Sequence, residues 1–218
     1  PLTWKVDGVQ YCNERATATQ QTAFSFVSQS RDWLPDEIGG IIWWGLDDAS
    51  STVYTPLYSS MTRAPKTFAQ GNGALMEWSD NSAFWVFSQV ANYAYTRYNL
   101  IHPEVEKLQS KFEAHFIKTV PAIDAAALKV LEQDRELALH ILTSYSVDVA
   151  DNLTMKWKKF YQYLFMKYHD GNMRIKKEVP EGYKYVNPDI SYPGYSKEFY
   201  EKLVKETGDK LKVVGGDH

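Results

Sequence analysis

Nucleophilic chemistry in this chain would start from Cys12, its single thiol, and acid–base chemistry from His102, His115, His140, His169 and His218. Neither set is spaced for the task. No cysteine and histidine recur at zinc-ligand intervals, HExxH does not occur, and the adjacent His169 and Asp170 cannot face each other on a helix. Cys12 has no papain-like signature around it. It precedes a predicted strand and does not open a helix whose dipole would favour the thiolate, so it reads as structural. Serine offers no GxSxG, and no glycine-rich loop cradles a phosphate.

Charged and aromatic groups leave more open. Arg15 stands before a run of small polar residues, Ala16 to Thr22, where a long cation has room to project into a cleft; the alternative is a surface arginine paired with Glu14. Asp47 and Asp48 together suggest the tip of a hairpin, where aspartates are normally solvated and bond their own backbone. Trp43, Trp44, Trp78 and Trp85 fit a core better than a stacking platform for sugars, although their rings suit both.

The elements that must position these groups change character near residue 78. Thr22 to Gln29 is a predicted strand, and Ile41-Ile42-Trp43-Trp44 is a continuous apolar run of the kind covered on both faces. After the Asp47-Asp48 turn, Thr52 to Tyr58 returns, so these two strands should form an antiparallel hairpin. Pro56 places the second of them at an edge. Arg63 to Asn81 carries turn chemistry, with Pro65 and Gly71-Asn72-Gly73. Phe84, Phe87, Ala91, Ala94 and Tyr98 then follow helical spacing behind the N-cap residues Ser79 to Ser82. The prolines predict a break at His102-Pro103 and a third helix starting near Pro121, and Met155 to Tyr168 is expected as a fourth, stopped by Asp170-Gly171-Asn172. The expected organisation is α+β: residues 1–78 strand-rich, 79–175 a helical region packed on them, and 176–218 an irregular Tyr- and Pro-rich tail with a short helix near Ser196 to Thr207.

Composition excludes several functions. With 218 residues, 44% hydrophobic and 23% charged, the chain is ordinary for a folded protein, and a net charge of −3 offers no basic field for nucleic acid or an anionic membrane. A lone cysteine forms no internal disulfide, and no apolar run approaches the roughly 20 residues of a membrane span. Asn152-Leu153-Thr154 fits a glycosylation sequon, a triplet that also arises by chance.

Several motifs in order carry a family resemblance: Asn13-Glu14-Arg15 with Thr19-Gln20-Gln21-Thr22, Leu34-Pro35-Asp36, Gly39 to Ala49, Ser82 to Phe87 with Val90-Ala91-Asn92, and Lys167 to Asn172. Together they resemble the second half of the catalytic domain of the C69 cysteine dipeptidases. The resemblance implies part of an αββα N-terminal-nucleophile (Ntn) hydrolase sandwich. It further implies amide hydrolysis of short peptides, no cofactor, and an N-terminal cysteine nucleophile activated by its own α-amine, lying upstream of Pro1 in a missing N-terminal half. On this basis Arg15 stabilises charge at the thiolate, Trp43, Trp44 and Asp47 support the substrate cleft, and the chain alone is inactive and prone to oligomerise. A secreted or periplasmic setting follows from the resemblance alone. The alternatives are a non-catalytic secernin-like relative and an aromatic-lined module binding sugars or peptides.

Overall fold

The computed structural model describes residues 3–14, 16–213 and 215, so Arg15 lies outside the described residues. The chain opens with an antiparallel hairpin, β1 (Thr3–Val6) and β2 (Val9–Cys12), that the reading above does not anticipate. Its signal is Asp7-Gly8. Both residues hold positive φ, 50° and 81°, as a tight two-residue turn requires. Trp4 pairs across from Tyr11, and their rings stack at 6.1 Å.

The main sheet has three antiparallel strands in the order β3-β4-β5: β3 (Phe24–Ser30), β4 (Gly40–Leu46) and β5 (Thr55–Tyr58). The expected hairpin of Ile41–Trp44 with the following strand is formed, with Ile41 opposite Tyr58 and Trp44 opposite Thr55. Pro56 sits on the edge strand, where its missing N–H removes no central ladder bond. Between β3 and β4 the chain turns through the short helix α1 (Asp36–Gly39). Gly39 is needed in this turn, because a Cβ there would lie 2.8 Å from the carbonyl oxygen of Arg31.

Three long helices follow, α2 (Ala83–Thr96), α3 (Tyr98–Leu131) and α4 (Arg135–Tyr168). The helical content is as expected, but its division is not. Pro103 and Pro121 both lie inside α3, which runs through them unbroken. An internal proline costs about 3 kcal/mol. Here the buried stripe of Ile101, Val105, Phe116, Val120 and Ala127 continues past both prolines and outweighs that cost. The real boundaries are Arg97, held at the non-helical φ −151°, ψ 63°, and the turn before α4, where Asp134 accepts a hydrogen bond from the Leu137 N–H at 2.9 Å.

The core joins sheet to helices. Ile38, Ile41 and Tyr58 pack with Val120 and Ala127 of α3 and with Ala138 and Leu142 of α4. Further along, fully buried Trp157 stacks on Phe87 of α2 at 5.2 Å. The fold is α+β, with its antiparallel strands early and its helices later. Two compact units are distinguished, Pro1–Leu164 and Phe165–His218. The second contains a small antiparallel pair, β6 (Met173–Ile175) and β7 (Asp189–Ser191), and the expected short helix α5 (Lys197–Thr207), whose N-cap Ser196 accepts from the Phe199 N–H. Among the described residues no helix is long and apolar enough to cross a membrane.

Candidate functional site

Successive side chains on a strand point to opposite faces, so Trp43 and Trp44 serve different sides of the sheet. On one face Trp44 stands between Phe24 and Phe26 of β3, with ring centroids 4.8 and 5.9 Å away and planes within 10°. Ile42, Leu46 and Leu57 share this face. Over it lies a cavity of about 670 Å³, closed by the segment from Ala64 to Leu75 and by Phe84 and Trp85. The segment has the turn character its glycines predict, and it is tied down. Trp85 donates its indole N–H to the carbonyls of Ala74 and Glu77, each at 3.2 Å, and Asn72 bonds both Ser79 and the Asn81 carbonyl at 2.7 Å. None of the described side chains lining this cavity is charged.

Trp43 faces a second cavity, of about 810 Å³, between the sheet and α3. Its indole N–H donates to Gln29 Oε1 at 2.9 Å. The floor is a buried ion pair that the sequence reading missed. Arg31 donates to both carboxylate oxygens of Asp124, at 2.5 and 3.2 Å, and to the carbonyls of Ile38 and Gly39; Tyr58 donates to Asp124 Oδ1 at 2.6 Å. Burial, reinforced by the bond to the Asp124 carboxylate, pushes the Tyr58 hydroxyl far above its ordinary pKa, so it remains a donor. Local sequence offers no signal for this pair, whose members stand 93 residues apart.

Asp47 and Asp48 correct an expectation. They are not solvated turn formers but buried, 3% and 0% exposed, at the end of β4. Asp47 takes the left-handed φ of 62°, a conformation that aspartate tolerates better than most residues. One of its oxygens accepts from Ser88 of α2 at 2.8 Å, while buried Oδ2 has no partner among the described residues. Burial raises the Asp47 carboxyl above its usual range, and the Ser88 bond partly offsets this. Asp48 accepts from the Ser50 N–H and hydroxyl and, at 2.7 Å, from Tyr95. Burial and that carboxylate together push the Tyr95 hydroxyl up to about 12. The two acids thus fasten the hairpin tip to α2 and line neither cavity.

Cys12 is exposed at the end of β2, opposite Thr3. Among the described residues no three His, Cys, Asp or Glu side chains are grouped to hold a metal ion. Residues 5–111 match the sequence profile of peptidase family C69. The matched span, just under half of the chain, supports a relationship to the C69 peptidases. Every described residue lining the Trp44 cavity falls within the matched span, as do Arg31, Trp43 and Asp47; Glu113 and Asp124 of the Trp43 cavity lie beyond it. At the level of the family, that match supports a peptidase-type function. No curated protein matches the chain significantly.

Proposed function

We propose that this chain supplies the substrate-binding wall of a cysteine dipeptidase of the Ntn type, and that its nucleophile is a cysteine other than Cys12. The three-stranded sheet would form part of one layer of the αββα sandwich. In the proposed reaction an N-terminal thiol gives its proton to its own α-amine, an acceptor with a pKa near 8, and the thiolate attacks the peptide carbonyl. The leaving amine takes a proton, the thioester acyl-enzyme forms, and water then hydrolyses it. Arg15 is assigned the stabilisation of thiolate or oxyanion charge on the resemblance alone.

The observation that carries this reading is the aromatic cavity on the Trp44 face, whose described lining is uncharged and lies wholly within the C69-matched span. Such a wall accepts apolar side chains of a short peptide and disfavours charged ones, which would lose hydration there without gaining a partner. Cys12 supports the same reading by its setting. It lies exposed on a strand and makes no hydrogen bond to a histidine or carboxylate among the described residues.

The test is a pair of variants in the peptide-hydrolysing protein. Trp44→Ala should lower kcat/KM for leucine- or phenylalanine-containing dipeptides by roughly tenfold, about 1.4 kcal/mol of lost binding. Trp43→Ala, on the opposite face, should leave kcat/KM within about twofold. Equal losses from both variants, or none from Trp44→Ala, would place the peptide elsewhere.

A further inference from the structure

The Trp43 cavity has a chemistry of its own, independent of the peptidase reading. Its described lining contains two carboxylates and one cation, Asp124, Glu113 and Arg31. Asp124 is committed on both oxygens to Arg31 and Tyr58. That leaves Glu113. Its Oε1 accepts from the Tyr54 N–H at 3.0 Å, which anchors the side chain, and it forms no ion pair with a basic side chain among the described residues. The cavity therefore carries one uncompensated negative charge on a half-buried group held in place by a backbone bond.

The walls around that charge are aromatic. Trp33, 73% exposed, lines the same cavity as Glu113, and so do Trp43 and Tyr54. Two of these rings have their polar atoms engaged elsewhere, the Trp43 indole N–H on Gln29 and the Tyr54 hydroxyl on Ser25 at 2.9 Å. The remaining ring surface is apolar. Aromatic faces attract cations, and a carboxylate in a partly desolvated site binds an ammonium by a charge-assisted hydrogen bond. A volume of about 810 Å³ lies within the range of small-molecule sites, about 300–1,000 Å³.

We propose that the cavity between the sheet and α3, with Glu113 as its charged anchor and Trp33, Trp43 and Tyr54 as its walls, binds a small organic ammonium bearing an apolar or aromatic group. Anionic ligands are repelled by Glu113, and a neutral isostere leaves that carboxylate without a counter-charge. The same chemistry fits a free amine or the α-ammonium of a peptide.

The experiment is titration of the chain with 2-phenylethylamine at pH 7, followed by calorimetry, with 2-phenylethanol as the neutral isostere. Saturable binding of the amine is expected, with the alcohol at least tenfold weaker. Glu113→Gln keeps a carbonyl oxygen for the Tyr54 N–H while removing the charge, and should weaken the amine at least tenfold. Trp33→Ala, at an exposed position, should weaken it severalfold, and Trp44→Ala, on the other face, should not. Phenylalaninamide against 2-phenylethylamine identifies the source: preference for phenylalaninamide assigns a peptide amino terminus, and the reverse order assigns a free amine. Absence of saturable binding, equal affinity for the alcohol, or full affinity in Glu113→Gln overturns the proposal. If circular dichroism shows that Glu113→Gln does not fold, Trp33→Ala and the alcohol comparison decide it on the same terms.

Discussion

Removing the Asp124 carboxylate is expected to destabilise the fold more than most single substitutions. In Asp124→Ala the guanidinium of Arg31, whose side chain is only 6% exposed, loses the partner that accepts two of its hydrogen bonds. The carbonyls of Ile38 and Gly39 still accept from it, so the cation is left poorly neutralised but not bare. Tyr58 simultaneously loses its 2.6 Å acceptor and, among the described residues, retains only the Val120 carbonyl at 3.5 Å. Breaking a buried pair by deleting one member typically costs about 3–5 kcal/mol, a large share of the roughly 5–15 kcal/mol that holds a domain together. With a urea m-value of about 2 kcal/mol/M, the unfolding midpoint should fall by about 2 M. Tryptophan fluorescence in urea reads this directly, since Trp43 sits at the cluster and Trp157 in the core. The double variant Arg31→Met/Asp124→Leu should recover much of the loss, because it leaves no unpaired charge. A midpoint shift below about 0.5 M for Asp124→Ala, with m unchanged, would refute the claim that this pair ties sheet to helix.

Two further substitutions test the hairpin end of β4. Asp47 has a raised pKa in the folded state, so its contribution is most favourable below the ordinary aspartate value of about 4 and is lost as pH rises through the folded value. Asp47→Asn, which tolerates the same φ and keeps an acceptor for Ser88, should therefore be more stable than the parent at pH 7, a gap that narrows as the pH falls toward the ordinary aspartate value of about 4. Melting temperature against pH measures this, and a variant less stable than the parent at pH 7 would contradict it. Gly45→Ala would bring a Cβ to 2.6 Å from the Thr52 methyl and 3.2 Å from the Tyr54 ring. It should cost about 1–3 kcal/mol by overpacking, read as a lower urea midpoint, and an unchanged midpoint would show that the turn yields freely.

Legibility from sequence tracked the range of each interaction. The β4–β5 hairpin, the edge position of Pro56 and the stop at Asp170-Gly171 are local, and their residues announce them. The prolines misdirected the division of the helices, because the buried stripe that carries α3 past Pro103 and Pro121 depends on partners in the sheet and in α4. Asp47 and Asp48 have turn chemistry as a sequence. Only the packing of α2, with Ser88 and Tyr95, makes them buried acceptors. The separation of Trp43 from Trp44 was available in principle from the strand period alone. That each tryptophan faces its own cavity was not, since α3 and the segment after Ala64 close those cavities from afar.

The central claim is that this chain contributes the wall of a peptide site and not its nucleophile. The most direct test is kcat/KM for hydrolysis of an apolar dipeptide by the active protein and by its Cys12→Ser variant. Preservation of kcat/KM within about twofold is the predicted result, because Cys12 makes no hydrogen bond to a histidine or carboxylate among the described residues that could take its proton. A loss of about 100-fold or more in a variant that still folds would make Cys12 the nucleophile and contradict the account.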